Sequence, residues 1–295
     1  MFEGSYVAIV TPFKDGKVDF EKLKELVKFH IQHGTSGILP CGTTGESATL
    51  SHEEHEAVIE TVISTVKSHA KGKVKVIAGT GSNSTSETIK LTRFARTAGA
   101  DAALIISPYY NKPTQKGLYL HFKAVADEVD IPIMLYNIQS RTAVNINPET
   151  IAQLVKTCGN IVAVKEASGS LDQMSATKHA CPGIEMLSGD DALTLPLLSI
   201  GGIGVVSVVA NIVPKDVADM VSAWLSGNHK KAMEIHYKLY PLVKAMFIET
   251  NPIPVKTALG LMGMCSPELR LPMSEMEEQN VVKLKNALRE YGLLK

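Results

Sequence analysis

Eight times along this chain a short apolar run gives way to a longer amphipathic stretch, and no other feature restricts the fold so strongly. The runs predict strands at Tyr6–Val10, Gly37–Pro40, Val74–Ala78, Ala102–Ser107, Ile133–Tyr136, Ile161–Lys165, Glu185–Leu187 and Gly204–Val209. Strands that short, and apolar at successive positions, are buried on both faces, as in a parallel sheet covered by helices. The stretches between them carry helix signals. Ser51 stands three residues before Glu54, and Ser84 three before Glu87, the pattern of a capping box. Asn147-Pro148 puts a cap residue ahead of a proline at the first helical position. Phe20, Leu23, Leu26, Val27 and Ile31 keep the spacing of one apolar helix face. Eight βα units in roughly 225 residues fit a closed (β/α)8 TIM barrel in count and length, with an open doubly wound sheet as the alternative. Beyond Val213-Pro214 no strand pattern follows. Trp224, Ile235, Tyr240 and Leu242 keep helical spacings, with cap signals near Asn251-Pro252. The division expected is therefore a barrel over 1–226, its active site at the C-terminal strand ends, and an all-helical extension over 227–295 packed on it.

Composition removes several classes of function. Lys plus Arg and Asp plus Glu both number 30, so no basic surplus favours nucleic acid. No apolar run approaches the length of a membrane span, and the start, Met1-Phe2-Glu3-Gly4-Ser5, lacks the pattern of a secretory or organelle leader. Cys41, Cys158, Cys181 and Cys265 are widely spaced without a CxxC motif, which reads as reduced thiols in a cytoplasmic protein. Histidines occur without HxH or HExxH spacing, so nothing points to a metal centre.

The chemistry is concentrated where the strands end. Lys165 closes the run Ile161-Val162-Ala163-Val164 and precedes Glu166-Ala167-Ser168-Gly169. A lysine there can snorkel to water, or it can be held out of water. In the second case desolvation pulls its pKa from about 10.4 toward neutrality, and a fall of roughly three units corresponds to about 4 kcal/mol. The neutral amine attacks carbonyls to give a Schiff base. After the second strand, Gly42-Thr43-Thr44-Gly45 offers hydroxyls and amides to an anion. After the fourth come Tyr109 and Tyr110, which also suit a packed loop. After the fifth come Tyr136, a phenol that can relay protons, and Arg141, which can bind a carboxylate through two hydrogen bonds or form a surface salt bridge. Ser188-Gly189-Asp190-Asp191 follows the seventh.

With these residues in place the chain resembles the pyruvate-dependent class I aldolase family. The likeness is carried by GTTGE at 42–46, SPYYNKPTQ at 107–115, VKEASG at 164–169, SGDD at 188–191, GGIGVVSV at 201–208 and NPIPVK at 251–256. The resemblance implies condensation of pyruvate with L-aspartate-4-semialdehyde, an early step toward diaminopimelate and lysine, with no cofactor beyond the covalent Schiff base. It implies Lys165 as the Schiff-base lysine, Tyr136 as the general acid/base, and Thr43 as the hydroxyl linking Tyr136 to Tyr110. In the family this second tyrosine reaches in from a neighbouring subunit, within a homotetramer built as a dimer of dimers. Thr44 matches the position that holds the pyruvate carboxylate, Arg141 the one that binds the semialdehyde carboxylate, and Gly189 and Val206 positions lining the pocket. Family members usually carry a proline shortly before that arginine. Here Ile138-Gln139-Ser140 stands instead, which predicts freer backbone torsion in the loop.

A second site is implied by the same resemblance. In lysine-inhibited members, L-lysine binds at a subunit interface through positions that fall here on Ser47, Ala48, His52 and His55, and on Asn83, Glu87 and Tyr109. His52 and His55, three residues apart in a first helical turn, share a face, and such a pair also suits a plain solvated surface.

Other readings remain open at this level. N-acetylneuraminate lyases and 2-keto-3-deoxy sugar-acid aldolases share the lysine and tyrosine, but the lyases typically carry Ser-Thr at Thr43-Thr44 and lack the arginine at 141. Gly202-Ile203-Gly204 suggests a dinucleotide fingerprint, yet Ser207 fills the slot of its third glycine. A non-catalytic ligand-binding barrel is a further alternative, as is a pyridoxal-phosphate enzyme with its own lysine.

Overall fold

The computed structural model describes residues 1–70 and 72–295. Eight parallel strands close a barrel in chain order: β1 (Gly4–Ala8), β2 (Gly37–Leu39), β3 (Lys75–Gly79), β4 (Ala102–Ile106), β5 (Ile133–Asn137), β6 (Ile161–Glu166), β7 (Glu185–Ser188) and β8 (Gly204–Ser207). Every predicted strand is present, with ends displaced by a residue or two. The largest displacement is in β1, which stops at Ala8 although the apolar run continues to Val10. There the ladder ends because the Val10 amide donates to the side chain of Asn211 at 3.2 Å instead of to a strand.

A two-stranded antiparallel ribbon, Phe13–Lys14 with Lys17–Val18, was not predicted. Its turn is Asp15-Gly16, both at positive φ, the dipeptide and backbone of a type I′ hairpin. The signal was in the sequence, but two residues a side are too few to show alternation.

The chain forms two compact units. One comprises Met1–Glu3 and Val76–Val206. In it the helices Gln115–Glu128, Pro148–Thr157 and Leu171–Ala180 bury Phe122, Leu154 and Met174 among Ile105, Leu135 and Val164 of the strands. Each such side chain contributes on the order of 1.5–3 kcal/mol by leaving water. The other unit comprises Gly4–Lys75 and Ser207–Lys295. It includes the helices Phe20–Gln32 and His52–His69 and, after β8, Pro214–Leu225, His229–Ala245, Ile253–Leu261 and Glu278–Tyr291. Among the described residues no strand follows β8.

Of the predicted caps, Ser51 and Glu54 form the full capping box. The one at Ser84 does not form, because the Glu87 carboxylate accepts from the Ser82 hydroxyl and is turned away from the helix end. Pro148 occupies the first helical turn as expected, but the Asn147 side-chain Oδ1 accepts from Asn145 Nδ2 rather than from a helix amide. Asn251 does not cap its helix either. Its amide reaches Thr44.

Candidate active site

In the parallel pair β5–β6, Tyr136 is the register partner of Lys165, and Asn137 that of Glu166. Alternation along each strand therefore turns Tyr136 and Lys165 to one side and Asn137 and Glu166 to the other. Lys165 is buried, with Nζ 4.1 Å from the centroid of the Tyr136 ring, which is buried too. Burial pulls the Lys165 pKa down to about 7; the Asp191 carboxylate opposes this and the Arg141 guanidinium adds to it. Near neutrality a large share of this amine is unprotonated, as carbonyl attack requires.

Gly189, just past β7, closes the space beside the lysine chain. A Cβ there would lie 3.0 Å from Lys165 Cε, 3.1 Å from its Cγ and 2.7 Å from the Ala167 methyl, so only glycine leaves the lysine room. Val206 is buried in β8.

The opposite face of the two strands carries a polar network that the sequence reading passed over. Glu166 is fully buried; its carboxylate accepts from Asn137 Nδ2 at 3.2 Å and from the Ser168 amide at 2.8 Å. Burial pushes its carboxyl up, and the hydrogen bonds from Ser168 and Asn137 work against that. Asn137 also donates to Asn145 Oδ1 at 2.8 Å and accepts from the Ile146 amide at 2.9 Å. Asn137 thereby closes the loop that carries Arg141. Within that loop Gln139–Thr142 forms a single helical turn ending at Ala143, whose φ is 58°, and the Thr142 hydroxyl bonds the Ile138 and Val144 carbonyls. Hydrogen bonds from Asn137 and Thr142 thus fasten the loop for which the missing proline predicts freer torsion. Arg141 itself is exposed.

Tyr109 and Tyr110 part company, as adjacent residues in a loop can. The Tyr109 carbonyl accepts from Asn83 Nδ2 at 3.2 Å, and Asn111 returns a bond to the Asn83 carbonyl at 2.9 Å. Tyr110 has φ 71°, a left-handed backbone that costs a non-glycine residue on the order of 1 kcal/mol, and its side chain is 90% exposed. A large aromatic held in a strained conformation and presented to solvent is a group directed away from its own chain.

In the second unit, Thr44 is buried, Thr43 half-buried, and the loop that holds them is fastened at several points. The Thr11 hydroxyl donates to the Gly45 carbonyl at 2.7 Å, Asn251 Nδ2 to Thr44 Oγ1 at 3.0 Å, and the Glu46 amide to the Thr43 carbonyl at 3.1 Å. Glu46, at φ 52°, forms a fully buried ion pair with Lys256 at 2.6 Å. Lys256 Nζ also lies 4.1 Å over the Phe13 ring, and Arg270 sits 4.4 Å from the same ring while pairing with Glu54. A lysine in an apolar helix such as Pro254-Val255-Lys256 is the sequence signal for a buried partner. The reading missed it because Glu46 lies far away in the chain.

Of the seven positions matched to a lysine site, Ser47 and Ala48 lie in the short turn Ser47–Thr49, and His52 and His55 in the helix after it. The two histidines differ: His52 is exposed and His55 buried, with its carbonyl accepting from the Cys41 thiol. Asn83, Glu87 and Tyr109 belong to the other unit, where Asn83 and Tyr109 are hydrogen-bonded. All four cysteines are free thiols, and all are buried. Among the described residues no helix is long and apolar enough to cross a membrane, and no group of three or more His, Cys, Asp or Glu residues could hold a metal.

A closed barrel carrying a desolvated lysine against a tyrosine defines the class: an aldolase-type enzyme working through a Schiff base. The chain belongs to the dihydrodipicolinate synthetase family, whose model matches residues 1–291. It is 62% identical over the full length of both chains to the 4-hydroxy-tetrahydrodipicolinate synthase of Endomicrobium trichonymphae. Its structure is similar to that of the dihydrodipicolinate synthase of Aquifex aeolicus, with a TM-score of 0.96 and 52% identity over 99% of each chain. It is also similar to the synthase of Cyanidioschyzon merolae with lysine bound, with a TM-score of 0.94 and 42% identity over 99% of each chain.

Proposed function

We propose that this chain condenses pyruvate with L-aspartate-4-semialdehyde to give 4-hydroxy-tetrahydrodipicolinate. The observation that carries the reading is Lys165, buried against Tyr136 with its pKa held near 7. The neutral amine adds to the pyruvate ketone, and loss of water gives the imine. Loss of a methyl proton then leaves an enamine, whose carbon bonds to the aldehyde carbon of the semialdehyde. The amino group of that substrate closes the ring onto the imine carbon and expels Lys165. Tyr136 moves the protons, with Thr43 linking it to Tyr110 of a neighbouring subunit. Thr44 anchors the pyruvate carboxylate, Arg141 that of the semialdehyde, and Gly189 and Val206 line the pocket. The exposed, strained Tyr110 supports an oligomeric enzyme, a tetramer of paired dimers by family likeness. The reaction belongs to the cytoplasm.

Pyruvate consumption with L-aspartate-4-semialdehyde, against N-acetylmannosamine as competing acceptor, tests this. Turnover with the semialdehyde alone is expected, and turnover with the sugar would instead indicate a lyase. L-lysine is expected to inhibit through Ser47, Ala48, His52, His55, Asn83, Glu87 and Tyr109. The double variant His55→Ala/Glu87→Ala should relieve that inhibition, and unchanged inhibition would place the effector elsewhere.

A further inference from the structure

The segment Asn251-Pro252-Ile253-Pro254-Val255-Lys256 carries none of the residues assigned so far, yet Asn251 is buried and bonded to the hydroxyl of Thr44. We propose that Asn251 is a positioning residue that fixes the Thr44 hydroxyl as a donor to the pyruvate carboxylate. This rests on the reading of Thr44 as the carboxylate anchor.

An amide nitrogen bears hydrogens and no available lone pair, so Nδ2 only donates. Thr44 Oγ1 accepts that bond, at 3.0 Å, and its single proton stays uncommitted. Thr44 is 2% exposed, so bulk water does not compete for that proton. A carboxylate has acceptors only, and a hydroxyl already polarised as an acceptor is the stronger donor to it.

Both partners of the bond are held in place, with Glu46 tying the loop of one to the helix of the other. On the Thr44 side the loop is fixed by Thr11 through the Gly45 carbonyl and by the Arg270 amide on Glu46, at 2.7 and 3.2 Å. On the Asn251 side the helix Ile253–Leu261 is fixed by the buried pair of Lys256 with Glu46. The C-terminal helices would thus contribute to substrate binding by deciding which way one proton points.

The test is a double-mutant cycle on the full-length enzyme, read as the KM for pyruvate, the KM for the semialdehyde and kcat. Asn251→Ala is expected to raise the pyruvate KM by roughly tenfold, with the other two constants within about twofold, as suits the loss of one buried neutral hydrogen bond. Thr44→Val is expected to raise the pyruvate KM further, and adding Asn251→Ala to it should change nothing more. An equal effect of Asn251→Ala with and without the Thr44 hydroxyl would make Asn251 a packing residue and overturn the proposal. A pyruvate KM unchanged by Thr44→Val would overturn the anchor reading itself, and the proposal with it. Should Asn251→Ala not fold, the isosteric Asn251→Asp, which only accepts at neutral pH, is expected to raise the pyruvate KM at least as much. A folded Asn251→Asp enzyme with wild-type pyruvate KM would refute the polarity argument.

Discussion

Two buried lysines, one in each compact unit, share a desolvated setting but differ in the charge they touch. Lys165 has an aromatic face at 4.1 Å, a nearby Asp191 and a nearby Arg141 whose effects oppose each other, and a pKa brought to about 7. Lys256 is buried completely, also 4.1 Å from an aromatic centroid, yet it meets the Glu46 carboxylate at 2.6 Å. Burial holds its pKa below the ordinary lysine value as well, and Glu46 opposes this through charge and a hydrogen bond. Desolvation is common to both, so burial alone does not make a nucleophile. What separates Lys165, the proposed nucleophile, from Lys256 is whether the fold sets a carboxylate in hydrogen-bond contact with the amine.

Exchanging what each lysine lacks should break this contrast. Replacing Lys165 by Met should lower kcat by more than about 10⁴-fold, with little loss of melting temperature, because the nucleophile disappears while an apolar chain fills its place. The same change at Lys256 should do the reverse: it strands the Glu46 charge and costs about 3–5 kcal/mol in a denaturant titration, with loss of activity following unfolding. A stable Lys256→Met enzyme would mean that the pair contributes nothing to the fold.

The pH dependence gives a smaller and sharper test. The neutral form of Lys165 grows as pH rises, so borohydride trapping of pyruvate should increase tenfold per unit below pH about 7 and level off above it. Removing the Arg141 charge, which lowers the pKa, should move that inflection to higher pH in Arg141→Gln. Removing Asp191, which raises it, should move it lower in Asp191→Asn. Pyruvate alone is used, so the role proposed for Arg141 toward the second substrate does not enter.

The barrel was legible because each βα unit advertises itself locally: a buried strand, a turn, an amphipathic helix. Lys165 and Tyr136 were legible for the same reason, since each ends an apolar run. What escaped was set by partners that no local pattern names. Nothing near Asn251 says that its amide serves Thr44 rather than a helix end. Ser82 intercepts Glu87 from outside the S-x-x-E pattern that seemed to claim it. The short ribbon at Phe13 was hidden by its brevity, although its buried ring holds both Lys256 and Arg270. In the loop before Arg141 a missing proline shows in the sequence, whereas the Asn137 and Thr142 bonds that fasten it do not.

Gly189 has a consequence for how such a site can change. Between amine, carbinolamine and imine the lysine nitrogen gains and loses substituents, and its chain must shift to accommodate them. The nearest relief lies where a Cβ at position 189 would stand 3.0 Å from Cε. Tolerance to substitution is therefore dictated here by an atom that is missing, and a mutational scan would record intolerance at a residue with no side chain to lose. Variants that accept a bulkier aldehyde would have to find their room away from position 189, because a Cβ there already meets the lysine chain and the Ala167 methyl.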